Sequence, residues 1–338
     1  MGAESDQEEK LYEEEEEKRY QAEVAYWEEV WKCNNGFEID HLKIPKRFGF
    51  VGVAPISFKE YNYDDELPLL ILYAKIGVHK FNMSKGTNLQ FDSLDILNEL
   101  PEPGHRTYHI TLLVKETSRQ FQTSLVHLGH RKKSVTWFTA RFKPKHPRPG
   151  RLHYGPRPDC YRRELPEWPP ENDFSDKKRF YLVEESELLK YAWIRLYMEF
   201  AFVEENEAIA VANPDLSKLV ILMVAVEPMG NAQPPNEDVL MARDATFYIR
   251  YTYPYMGHRS QRSPRHRIAI IRRTIKKDTL SLLFMSSFAK KSSSGVTTLP
   301  IIRFAEEAKA WDCGRMIRVY AKNLDGFADF EEFKNLRL

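Results

Sequence analysis

Residues 72–91, LYAKIGVHKFNMSKGTNLQF, set a helix directly against a strand, and that junction constrains the fold more than any other stretch. Leu70, Tyr73, Ala74, Gly77, Val78 and Phe81 recur at the spacing of one helix face. Small residues at 74 and 77 let that face lie close against a sheet, and Gly86 is a natural C-terminal stop. Four runs of strand character follow, at 89–97, 107–115, 120–128 and 134–142. Tyr108, Ile110, Leu112 and Val114 alternate in the second, and the apolar phase of the first changes between Phe91 and Leu94, which predicts a bulge. The loops NELPEPGHR and GHRKK have hairpin character, so the runs are expected to pair antiparallel. The predicted unit is one helix across a four-stranded antiparallel sheet.

A second half repeats the richness in β-branched and aromatic residues. YAWIRLYMEFAFV alternates Ile194, Leu196, Met198, Phe200 and Phe202; LSKLVILMVAVE, ATFYIRYTY and HRIAIIRRTIKKDTLSLLFMSS continue the pattern, and all are read as strands. At 338 residues the chain has room for two domains. The expected fold class is α+β, with an acidic segment lacking fixed structure at 1–19 and an amphipathic helix with its connector at 20–61. The helix-on-sheet domain takes 62–145, a Pro/Arg-rich linker 146–176, a β-rich antiparallel second domain 177–290, and a tail with short helices 291–338.

Charge is unevenly placed. Residues 1–32 hold twelve acids against four bases, whereas Arg131 to Arg163 holds eleven bases and one acid. Tyr20, Val24, Trp27 and Trp31 form a helical stripe just after the acidic block. It either docks on the chain's own first domain or binds a partner protein. Arg131, Lys132, Lys133, Arg141, Lys143 and Lys145 are the candidate phosphate-neutralising cations of a nucleic-acid surface, with aromatics such as Trp137 nearby to stack on bases. The same segment also fits a solvated loop, or a patch masked by the acidic N-terminus. Ser263, before Pro264 in RSQRSPRHR, is a candidate phosphorylation site, and the surrounding arginines resemble an import signal.

Six stretches, YWEEVWKCNNGFEID, LYAKIGVHKFNMSKGTNLQF, RFYLVEESEL, WIRLYMEFAF, LSKLVILMVAVE and ARDATFYIRYTY, fall in an order and spacing that resembles an uncharacterised plant family. Its members are often called cystatin-related and are typified by the male-sterility-five and embryo-defective proteins. The resemblance spans about residues 26–275. It implies a cystatin-like fold for the first domain, a plant protein acting in reproductive development, meiosis or male fertility, and no known enzyme activity. Cystatins block papain-like proteases with a glycine, a Gln-x-Val-x-Gly hairpin and a Pro-Trp hairpin. The corresponding positions here read LNELPEPGHR and GHRKK, so cysteine-protease inhibition ranks last among the readings.

Catalytic patterns are missing. No phosphate loop, nucleophile elbow or HExxH helix occurs, and Cys33, Cys160 and Cys313 lie too far apart in sequence for a metal-ligand spacing. His105 with His109, and His127 with His130, are read as ordinary surface histidines. No enzyme activity, cofactor, metal or small-molecule substrate is expected. No run approaches the roughly 18 apolar residues of a membrane span, and the acidic N-terminus is unlike a leader, so no membrane partner is expected. The sequence thus points to a non-catalytic interaction or regulatory factor of the nucleus or cytoplasm, the nucleus favoured, with unknown protein partners. Nucleic-acid binding is the alternative.

Overall fold

The computed structural model describes residues 2–33, 36–39, 41–43, 45, 53–58, 68–102, 105–115, 117–128, 133–145, 164–205, 214–229, 239–253 and 265–288. Helix α1 (Gly2–Lys32) comes first, then strand β1 (Ala54–Ser57) and helix α2 (Pro68–Lys85). Strands β2 (Phe91–Glu102), β3 (His105–Val114), β4 (Thr117–Leu128) and β5 (Ser134–Phe142) follow as an antiparallel meander. The order then recurs: β6 (Tyr181–Leu182), helices α3 (Glu185–Lys190) and α4 (Trp193–Glu205), and the meander β7 (Val220–Pro228), β8 (Asp244–Tyr253), β9 (Arg265–Lys276) and β10 (Thr279–Phe288).

The ten strands among the described residues belong to one sheet in the order β1-β2-β3-β4-β5-β10-β9-β8-β7-β6. Read from either end, that order runs edge strand, first to fourth meander strand, then the mate's fourth strand. The two halves therefore meet as a pseudo-symmetric pair, with β5 antiparallel to β10 from Trp137↔Leu280 to Ser134↔Leu283. The hydroxyls of Thr136 and Ser281 meet across the join at 2.9 Å. An unpaired β5 would leave a row of open backbone donors and acceptors, and β10 closes it. Thus the expected pair of separate sheets, in 62–145 and 177–290, is one continuous sheet.

Both main helices lie on the same face of that sheet. Tyr73 and Ala74 of α2, Tyr197, Phe200 and Ala201 of α4, and Trp137, Phe247 and Leu282 from the strands are completely buried in one apolar cluster. The predicted bulge in the first strand is present, as register shifts between Phe91 and Ser93 and between Leu94 and Ile96. Gly77 is placed where a side chain cannot go, since a Cβ there would lie 2.3 Å from the Thr123 hydroxyl. That hydroxyl is itself held by the Thr139 carbonyl at 2.9 Å. Gly77→Val is expected to destabilise by about 2–3 kcal/mol through overpacking, outweighing the gain in helix propensity. A urea titration measures it; an unchanged midpoint would mean α2 stands off the sheet.

Three sequence expectations change. Residues 193–205 are a helix: lying beside α2 on the same face of the sheet, α4 buries Ile194, Tyr197, Met198, Ala201 and Phe202 on several sides. Its one polar edge, the Arg195–Glu199 pair one turn apart at 2.8 Å, is narrow and largely covered, so the apolar positions also read as alternating. Residues 2–19 continue α1, with Arg19 paired to Glu15 and Glu16 one turn back. Residues 165–176, expected in the linker, pack on the far side of the sheet: Leu165, Trp168 and Phe174 rest on Ala225, Tyr248 and Ile270. The helices expected in the tail, and the bases from Arg148 to Arg163, lie outside the described residues.

Candidate functional site

The stripe on α1 splits in two. Tyr26 and Val30 dock against Ile39, Val53 and Leu100, and the Tyr26 hydroxyl both donates to the Val53 carbonyl at 3.1 Å and accepts its N–H at 3.0 Å. Tyr20 (55% exposed) and Val24 (36%) face solvent, as does Tyr12 (66%). At about 100° per residue, Tyr20 and Val24 lie roughly a third of a turn from the docked pair. Trp27 is half-buried between the two faces, its ring edge-on to Tyr26; the Trp31 side chain lies outside the described residues. An open groove of about 380 Å³ runs beside the docked face, lined by Ala22, Ala25, Tyr26, Glu29, Leu42 and Pro45.

The candidate cations are largely engaged by the chain itself. Lys133 donates to the Glu204 carbonyl at 2.9 Å and pairs with Glu205 at 3.2 Å. Lys143 pairs with Glu38 at 3.2 Å, and Arg141 lies over the Phe37 ring and reaches Gln122. Lys145 is exposed. Arg131, Lys132 and Ser263 lie outside the described residues, as do hairpin-tip residues 103–104 and 129–132.

Two of the histidines expected on the surface are inside. His109 is 2% exposed, and burial holds it neutral, with a pKa of about 4. His127 is held at about 4 by burial and by the nearby charges of Arg106 and Lys133. Its Nδ1 lies 3.0 Å from the Tyr73 hydroxyl, which donates to Glu204 Oε1 at 2.9 Å. Burial and then Glu204 raise the Tyr73 pKa well above its ordinary value, so the phenol keeps its proton. Neutral His127 therefore donates from Nδ1 to Tyr73, and its Nε2 faces Glu204 Oε2 at 3.5 Å. This hydrogen-bonded chain ties α2, β4 and α4 together across the two halves, with Glu204 only 4% exposed. The one hint of it in the sequence is Glu204, the first of two acids that follow the apolar run FAFV.

Among the described residues no group of three or more His, Cys, Asp or Glu is placed to hold a metal. No helix among them is long and apolar enough to cross a membrane.

The Protein MS5 family model matches residues 165–283, the second half of the sheet. Over a longer span, UPF0725 protein At1g02770 of Arabidopsis thaliana is 33% identical across 237 residues, covering 67% of this chain and 70% of that protein. The chain belongs to the MS5 (UPF0725) family. UPF0725 protein EMB2204, also of Arabidopsis thaliana, is 32% identical over 250 residues and covers 71% of this chain. The crystal structure of MS5 from Brassica napus superposes with a TM-score of 0.53 at 28% identity, covering 67% of this chain and all of that one. Membership of the MS5 family accords with the six quoted stretches.

Proposed function

We propose that this chain is a non-catalytic interaction factor, built on two cystatin-like helix-and-sheet units, that docks a partner protein through the exposed face of α1. The observation that carries the reading is the split helix: Tyr26 and Val30 anchor it, while Tyr12, Tyr20 and Val24 are left in water beside Glu14, Glu15 and Glu17. Aromatic and aliphatic side chains on an acidic helix fit a basic partner with an apolar groove, the helix supplying anchors at i and i+4 and the carboxylates steering approach. Plant reproductive development is the setting we infer from the family resemblance, and a nuclear rather than cytoplasmic site of action from the arginines around Ser263.

The test uses the full chain, purified from plant reproductive tissue with nuclease treatment, and each recovered protein re-examined as a purified pair. Tyr20→Asp with Val24→Asp is expected to weaken a true partner at least about ten-fold with the melting temperature unchanged, and binding should fall as salt rises. Undiminished binding by the double variant would sink the reading. Recovery of nucleic acid alone, lost on nuclease treatment, would overturn it in favour of the alternative, nucleic-acid binding by the basic segment.

A further inference from the structure

The side of the sheet away from α2 and α4 is covered in each half by the segment that precedes its edge strand. In the second half the covered row runs across the strands as Ala225↔Tyr248↔Ile270↔Met285. Phe174 and Phe180 lie on Tyr248 at 5.9 and 5.7 Å, an apolar seal. In the first half the row reads Asn98↔His109↔Ser124↔Thr139, flanked by Thr111↔Gln122↔Arg141. Asn98, His109, Ser124 and Gln122 are all at most 2% exposed. Yet Asn98 Oδ1, both His109 nitrogens, Gln122 Nε2 and Ser124 Oγ have no hydrogen-bond partner among the described residues. Buried polar groups are rarely left so, and five such atoms on three adjacent strands mark a surface not built only to be sealed.

What covers it is a short peptide held feature by feature. Asn98 Nδ2 donates to the backbone carbonyls of Gly36 (2.7 Å) and Phe37 (3.0 Å). The Phe37 ring stands edge-on to His109 at 5.2 Å, with the Arg141 guanidinium 5.8 Å from its centroid. Glu38 pairs with Lys143, and Ile39 is fully buried against Tyr26, Val30 and Leu100. Position 36 must be glycine: its φ is +86°, and a Cβ would sit 2.8 Å from His109 Nε2.

We propose that this back face is a recognition site for a linear peptide of the pattern glycine, aromatic, acidic, aliphatic, occupied in the resting chain by its own residues 36–39. A partner carrying that pattern displaces the cover and takes over the same contacts. The inference rests on the reading of the chain as an interaction protein but uses a different surface from the exposed face of α1, so either can fail while the other stands.

The experiment measures fluorescence anisotropy of a labelled peptide, NNGFEIDHLK, against the full chain and two variants that loosen the cover, Phe37→Ala and Glu38→Lys. Each variant is expected to bind the peptide at least about ten-fold more tightly than the unaltered chain. Adding Lys143→Glu, or replacing the peptide's glycine by alanine, should abolish the gain. If Phe37→Ala does not fold, Glu38→Lys, which changes only a partly exposed ion pair at the rim of the cover, decides. Equal affinity for variant and unaltered chain, or no binding at all, overturns the proposal. Hydrogen exchange on the unaltered chain gives a second arm: amides 36–39 should exchange at least about ten-fold faster than 174–180, and equal protection would overturn it too.

Discussion

Trp137→Ala is expected to cost about 4 kcal/mol and to weaken both halves of the molecule at once. The indole is fully buried and stands edge-on to Tyr73 of α2 and Phe200 of α4, at 6.1 and 5.9 Å. Its Nε1–H donates to the Tyr73 carbonyl at 3.0 Å, and its backbone pairs with Leu280 of β10. One side chain thus touches a helix from each half and sits on the strand that joins them. Truncating a buried Trp to Ala typically loses about 3–5 kcal/mol, a large part of the roughly 5–15 kcal/mol that holds a domain folded. For a unit of this size the melting temperature should fall by about 10 °C. Because the cavity opens at the seam, a single cooperative transition should remain, followed equally by calorimetry and by far-UV circular dichroism. Two resolved transitions, with one left where it was, would show that the halves fold independently despite the shared sheet. Trp168→Ala, on the half-buried cover of the second half, should cost visibly less.

That the seam is the structural centre was not legible in the sequence, and the reason is physical. Periodicity reports which positions of an element are buried, and it picked out Leu70 to Val78 of α2 and Tyr108, Ile110, Leu112 and Val114 of β3, although the intervening Thr107, His109 and Thr111 are buried as well. It carries no information about which strand lies beside which. The pairing of β5 with β10 joins residues more than 140 positions apart, and nothing in Ser134–Trp137 names Leu280–Leu283 as its neighbour. The same limit hid α4, where burial by α2 on one side and the sheet on the other leaves only the Arg195–Glu199 pair as a polar edge. It also hid the chain of Tyr73, His127 and Glu204, whose members come from three separate elements. The α1 stripe was legible as amphipathic, yet its docked edge proved to be Tyr26 and Val30, because the connector returns through Ile39 and Val53 on that side. What was readable in full was family membership, since six ordered stretches carry it without any need of contacts.

The interior histidines make the protein sensitive to mild acid. His79 stacks on Trp193 at 5.1 Å; burial, helped by the positive charge of Arg273, holds its pKa at about 3. Arg273 itself is buried between Trp193 and Phe247 and is held by the carbonyls of Leu240 and Ala242, so its charge persists. His109, beneath Phe37, is held at about 4 by burial. In the unfolded chain both titrate near 6.5. Below that value the unfolded state takes up protons that the folded state refuses, so stability rises with pH and is lost as pH falls from about 6.5 towards 4. At pH 5 each histidine gives up about 2 kcal/mol relative to pH 7, about 4 kcal/mol together. Urea midpoints measured between pH 7.5 and 4.5 should therefore fall steeply, and His79→Gln with His109→Gln should flatten the slope between pH 6.5 and 4.5 by close to two protons. An unchanged slope in the double variant would mean that neither imidazole is held neutral by the fold. The two sites also separate by probe: charging His109 strains the cover over the back face, so amides 36–39 should lose protection on acidification before those of α2. Charging His79 acts at the packing of α2 against α4, so its contribution should show only in the global transition.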